Sequence, residues 1–140
     1  MSNLSAFFAQ NATKVETVKE VISTRFKDEK GSPIPFEIRA LTNEEDSELR
    51  KACQRKVKQK KGLYQNETDQ ELYLAKFAAA CVVFPNLKDA ELQKSYGVMG
   101  EEKLIKKMLT PGEFAELLQV AQAVNGYDKD MEELVEEAKN

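Results

Sequence analysis

Thirteen consecutive residues, Leu72 to Phe84, carry a single charge, that of Lys76, and the run ends at Pro85. Nothing else in the chain limits its folding options as much. A bilayer-spanning helix needs roughly 20 apolar residues, so this run is too short to cross a membrane and has to be covered by the rest of the chain. Thr68-Asp69-Gln70-Glu71 stands just before it with the spacing of a capping box, a hydroxyl at the cap and a carboxylate three residues on. The pattern predicts a central core helix, apolar almost all round, that Pro85 stops.

Helix-start signals recur on both sides. Thr42-Asn43-Glu44-Glu45 is a second capping box, and the spacing of Leu49, Ala52, Cys53 and Val57 predicts a helix running to about Lys60, closed by Gly62. A short helix is expected from Asp89 to Tyr96, ended by Gly97, and another from about Glu101 to Leu109. Thr110-Pro111-Gly112-Glu113 opens the next, with a cap hydroxyl, proline at the first helical position and glutamate at the third. Phe114, Leu117, Leu118, Ala121 and Val124 follow on one face, and Asn125-Gly126 reads as a left-handed stop.

Ahead of the helices the period changes to two. Val18, Ile22, Thr24 and Phe26 share one parity, Ile34, Phe36, Ile38 and Ala40 another, and the charged loop Lys27 to Pro33 separates them. This predicts a β-hairpin whose second strand begins at or near Pro35, a residue with no amide hydrogen for a ladder. Leu4, Phe7 and Phe8 make a short apolar cluster, expected to fold back on its own domain in preference to serving as a free arm. At the other end, Met131, Leu134, Val135 and Ala138 mark one stripe of an acidic amphipathic helix. That stripe either packs on the domain or is offered to a partner's groove. The expected fold is α+β, mostly α, in one domain over residues 1–140. It comprises an N-terminal arm (1–14), a β-hairpin (15–41) packed on a multi-helix body (42–126), and a C-terminal amphipathic helix (127–140).

Chemistry is sparse. With no histidine, the commonest general base and every Ser-His or Cys-His pair are missing. Cys53 and Cys81 cannot make a zinc site alone and read as reduced core residues of an intracellular protein. The carboxylate clusters around Glu44, Glu101 and Glu132 fall in first helical turns or on polar faces, where solvation and the helix dipole account for them. Gly97-Val98-Met99-Gly100 lacks a phosphate-loop lysine and reads as a connection between helices. The run Arg55 to Lys61 is strongly basic, yet no aromatic residues interleave with it, and the chain as a whole carries −3. It reads as a solvated helix end. No catalytic residue, metal, cofactor, nucleic-acid partner or membrane partner is expected, and Met1-Ser2-Asn3-Leu4 does not open like a secretory leader.

Phe84-Pro85-Asn86-Leu87-Lys88-Asp89-Ala90-Glu91-Leu92-Gln93-Lys94-Ser95-Tyr96-Gly97-Val98, with Met108-Leu109-Thr110-Pro111-Gly112-Glu113-Phe114, resembles the tail assembly chaperones of PBSX-like prophages of Gram-positive bacteria. Leu4 to Asn11 and the pair Leu41-Thr42 are similar as well, so the likeness spreads over nearly the whole chain. These are capping, turn and core residues, so they point to a family without naming a site. The resemblance implies a non-enzymatic protein of the bacterial cytoplasm, absent from the finished particle. It would hold the tape-measure protein soluble until tail-tube subunits polymerise around it. In many tail operons a programmed frameshift extends such a product, and here an extension would begin near the helix from Asp130. A structural tail component and a small DNA-binding regulator resting on Arg55 to Lys61 are the alternatives. Leu92, Tyr96, Met131, Leu134 and Val135 are the expected partner-binding residues, and the hairpin edge and terminal stripes can also pair with a second copy.

Overall fold

The computed structural model describes residues 3–127. A single 3₁₀ turn, Asn3–Phe7, comes first. Its apolar side chains do not dock: Phe7 is 81% exposed, and Leu4 and Phe8 also face solvent. The expectation that this cluster folds onto its own domain therefore fails. The segment satisfies itself locally, through the Asn11 side-chain amide donating to the Ser5 carbonyl at 2.8 Å and the Ala12 amide donating to that of Phe8.

The expected hairpin is present with shorter strands. β1 (Val18–Glu20) runs antiparallel to β2 (Phe36–Ile38), with Val18 opposite Ile38 and Glu20 opposite Phe36. Pro35 stands just before β2, as its missing donor requires. In the loop between the strands, the Asp28 carboxylate accepts from the amides of Lys30 and Ser32, and Gly31 supplies a positive φ of 83°. Phe36 and Ile38 are buried together on the core face, while Glu37 lies on the other.

The central helix is α2, and two of its expected boundaries move. Asp69, not Thr68, is the cap, accepting from the Leu72 amide at 3.2 Å. The helix spans Gln70–Cys81 and does not run on to Phe84. Val82, Val83 and Phe84 instead form β5, the third strand of the sheet, with Ile38 opposite Val82 and the Arg39 amide donating to the Cys81 carbonyl. Two β-branched residues and an aromatic suit an extended backbone beside a waiting strand edge better than a further helical turn.

Before it, α1 (Asn43–Ala52) has the predicted capping box, the Thr42 hydroxyl accepting from the Glu45 amide and Glu45 accepting from the Thr42 amide. It stops well short of Lys60. Gln54–Lys58 is a strand, β3, paired with β4 (Tyr64–Thr68) around a tight tip at Lys60–Gly62. In a helix Arg55, Lys58 and Lys61 would stack three residues apart and Lys56 and Lys60 four apart, which repels. In the ladder the residues opposite are Glu67, Asn66 and Tyr64.

After β5 come α3 (Ala90–Ser95, capped by Asp89), α4 (Glu101–Met108) and α5 (Pro111–Val124). Thr110 and Glu113 form the capping box of α5 as expected. The left-handed stop belongs to Gly126 alone, at φ 89°, while Asn125 is at φ −82°. α2 packs against α1, α4, α5 and β5, and α5 also touches β2. Ile38, Cys53, Cys81, Leu104, Ile105 and Leu117 are fully enclosed at this centre, and both cysteines are free. At about 1.5–3 kcal/mol per large buried aliphatic side chain, this cluster is the main stabilising term. The architecture is α+β, mostly α, an N-terminal hairpin packed on helices. Among the described residues, no helix is long and apolar enough to cross a membrane.

Candidate partner-binding groove

Leu92 and Tyr96 lie one turn apart at the two ends of α3, both half-buried against the core. Asp89 starts that short helix by accepting the Leu92 amide at 2.9 Å, which fixes where Leu92 points. The two side chains form one wall of a groove of about 190 Å³. β5 and the residue after it supply Phe84 and Pro85. Phe36 of β2 and Met108 of α4 line it from the core, and Phe26 and Ile34 close it from the β1–β2 loop. Every lining residue is apolar or aromatic. Phe84 stands at the rim, 51% exposed, a large aromatic left partly in water.

One end of the groove is held by charge. The Arg25 guanidinium lies 5.1 Å from the Phe26 ring centroid, donates to the Met108 carbonyl at 2.7 Å and pairs with Glu113 at 2.5 Å. Arg25, with the Ser23 hydroxyl and the Thr110 amide after it, holds the Glu113 carboxyl down at about 2. The loop carrying Phe26 is thereby tied to the start of α5, and the groove wall is set before any partner arrives.

Of the other expected contact residues, Met131, Leu134 and Val135 lie outside the described residues. Phe26, Ile34 and Phe84 belong to the groove but were not anticipated. The sequence held a signal for Phe84 in Val82-Val83-Phe84, a strand-like triplet before a proline.

A larger cleft of about 530 Å³ between α1, the end of α2 and the segment after β5 is of mixed polarity. Two of its charged groups, Arg39 and Glu45, are committed to each other. Arg39 donates to Glu45 at 2.7 Å, and this bond, then the Thr42 amide, keeps the Glu45 carboxyl at about 2. A third polar cluster joins α1 to α2: the Tyr73 hydroxyl donates to Asp46, and Arg50 donates to both and lies over the Tyr73 ring. Burial, then the Asp46 contact, pushes the Tyr73 hydroxyl pKa upward, so it stays a neutral donor. Among the described residues, no three His, Cys, Asp or Glu side chains converge as a metal site. The Arg55 to Lys61 run is placed on the β3–β4 hairpin, so the expectation of a solvated helix end is wrong as to helix and right as to solvation.

The model of the phage XkdN-like tail assembly chaperone protein family matches residues 4–139. The PBSX phage-like element protein XkdN of Bacillus subtilis is 33% identical over 140 residues, covering 99% of this chain and 94% of that protein. The B. subtilis protein YqbN, itself uncharacterised, is 36% identical over 141 residues, covering 99% and 93%. A crystal structure of YqbN superposes with a TM-score of 0.76 at 29% identity, covering 90% of this chain and 98% of that one.

Proposed function

This chain belongs to the phage XkdN-like tail assembly chaperone family, and from that premise we propose that it binds a tape-measure protein through the apolar groove and keeps it soluble in the host cytoplasm until the tail is built. Family membership of this kind implies protein partners in tail assembly and a non-enzymatic role. The observation that carries the finer reading is the groove itself, lined by apolar and aromatic side chains and rimmed by a half-exposed Phe84.

A cavity of ~150 Å³ lined by aliphatic residues accommodates a benzene ring, so the groove has room for one large side chain from a client helix. A long helical client presents such side chains as a stripe, and exposed stripes of that kind self-associate. Each chaperone molecule that seats one anchor removes a length of stripe from water and from other clients. The bound state needs no energy source and ends when tube subunits compete for the client.

The test is co-expression of a tape-measure protein from the same operon. Soluble client should rise with the wild-type chain and fall towards the no-chaperone level with Phe84→Asp, whose side chain is exposed enough for the fold to tolerate the charge. Loss of an aromatic hot-spot residue costs about 2 kcal/mol or more, roughly 30-fold in affinity. Equal soluble yield with and without the wild-type chain refutes the proposal.

A further inference from the structure

We propose that the β3–β4 hairpin is a docking surface for residues 128–140 of its own chain. The hairpin stands away from the body: every residue from Gln54 to Thr68 is exposed except Val57 and Thr68, which are half-buried. Its base is closed by the Asp69 amide donating to the Cys53 carbonyl at 2.8 Å. Between Gln54 and Thr68 there are five cations and one carboxylate, a charge of +4 on a chain whose total is −3. None of the five cations has an ion-pair partner among the described residues.

The ladder sorts these charges by face. Lys56 and Lys58 lie on one face with Tyr64 and Asn66, and Arg55 and Val57 lie on the other with Glu67 and Gln65. The first face is therefore cationic with no carboxylate, and it carries an exposed aromatic ring.

Residues 128–140 are the complement, with six carboxylates, two lysines and a charge of −4. They also start within reach of it. Tyr127, the last described residue, lines a small cavity with Arg50 and Tyr73, and its ring centre is 6.5 Å from that of Phe77. Arg50 is about one helical turn before Cys53, and Tyr73 about one turn after Asp69. Phe77 is about two turns after Asp69, so the segment leaves the described fold about 12 Å along α2 from the base of the hairpin. Thirteen extended residues reach about 43 Å at about 3.3 Å each, enough to cross that distance and lie along a five-residue strand of about 17 Å. Laid along the lysine face, the segment's carboxylates neutralise Lys56 and Lys58, which have no ion-pair partner among the described residues.

Zero-length carbodiimide coupling of the full chain at low salt, read by mass spectrometry on a mixture of ¹⁴N and ¹⁵N protein, tests this. The expected result is links between Lys56, Lys58 or Lys60 and the glutamates at 132, 133 and 136, within molecules of one isotope and in the monomer. About 1 M salt, where the Debye length is ~3 Å, should abolish them. So should the triple change Lys56→Glu, Lys58→Glu, Lys60→Glu, and adding Glu132→Lys, Glu133→Lys, Glu136→Lys to that chain should restore them. Absence of such links in the wild-type monomer overturns the proposal. Links only between heavy and light chains overturn it in favour of a second copy, and lysines shielded by added single-stranded DNA but not by residues 128–140 overturn it in favour of nucleic acid.

Discussion

Replacing Asn125 with alanine removes a side chain that joins three separate parts of the molecule. Its Oδ1 accepts from the Leu41 amide at 2.8 Å, its Nδ2 donates to the Ala121 carbonyl at 2.7 Å, and the same nitrogen lies 3.5 Å from the Cys81 sulfur. Loss of the second bond is mild, because the Asn125 backbone amide also reaches the Ala121 carbonyl. The Leu41 amide, on a half-buried residue, has no such reserve. Stranding a buried donor costs about 1–3 kcal/mol, and partial access to water at Leu41 puts the total near ~2 kcal/mol. Unfolding entropy of about 2.1 cal/mol/K per residue gives about 0.3 kcal/mol/K for a chain of this length, so Tm should fall by about 7 °C. In urea the midpoint should drop with the slope unchanged. Asn125→Asp sharpens the test, since it keeps the acceptor for Leu41 but sets a carboxylate oxygen against the Ala121 carbonyl. It should be as damaging as alanine at neutral pH, and its deficit should shrink in acid, where a protonated carboxyl donates. If Asn125→Ala melts within about 1.5 °C of wild type, the bridging argument is wrong.

Leu104→Ala, at a fully enclosed position on α4 facing α2, should cost about 2–5 kcal/mol in urea unfolding, whereas Met99→Ala at an 85% exposed site should stay within about 0.5 kcal/mol. The Glu45 and Glu113 carboxyls sit at about 2 when folded, below the ordinary ~4.3 of the unfolded chain. The unfolded state therefore binds protons first, and stability, present in full above about pH 5, should be lost as pH falls towards 2. Urea titrations of Arg39→Gln should show a shallower loss across that window; an unchanged slope would remove the Glu45 part. Burial raises both thiol pKa values, that of Cys81 to about 11. Neither should react with an aromatic disulfide reagent at pH 7.5 until denaturant is added, and prompt labelling of the native protein would contradict the enclosed packing.

Helix starts were legible in the sequence because a cap is a bargain among neighbours: Thr42 with Glu45, Asp89 with Leu92 and Thr110 with Glu113 each close within three residues. The first hairpin was legible for a similar reason, since alternation and a polar Gly-Pro loop declare one buried face. The β3–β4 hairpin was not, because its strands are polar on both faces and Leu49, Ala52, Cys53 and Val57 happen to keep a helical spacing. Nor was β5, whose three residues are extended by pairing with β2, more than forty positions earlier in the chain. Leu92 and Tyr96 could be picked out as a helical pair, but the rest of the groove comes from the first loop, β2, β5 and α4. Asn125 looked like a turn residue, and only packing revealed its bond to Leu41. Local hydrogen bonds and periodicity were written in the order of the residues. Which distant strand, loop and amide would meet was settled by how the core closed around α2, because those contacts join residues that have no proximity until the chain is folded.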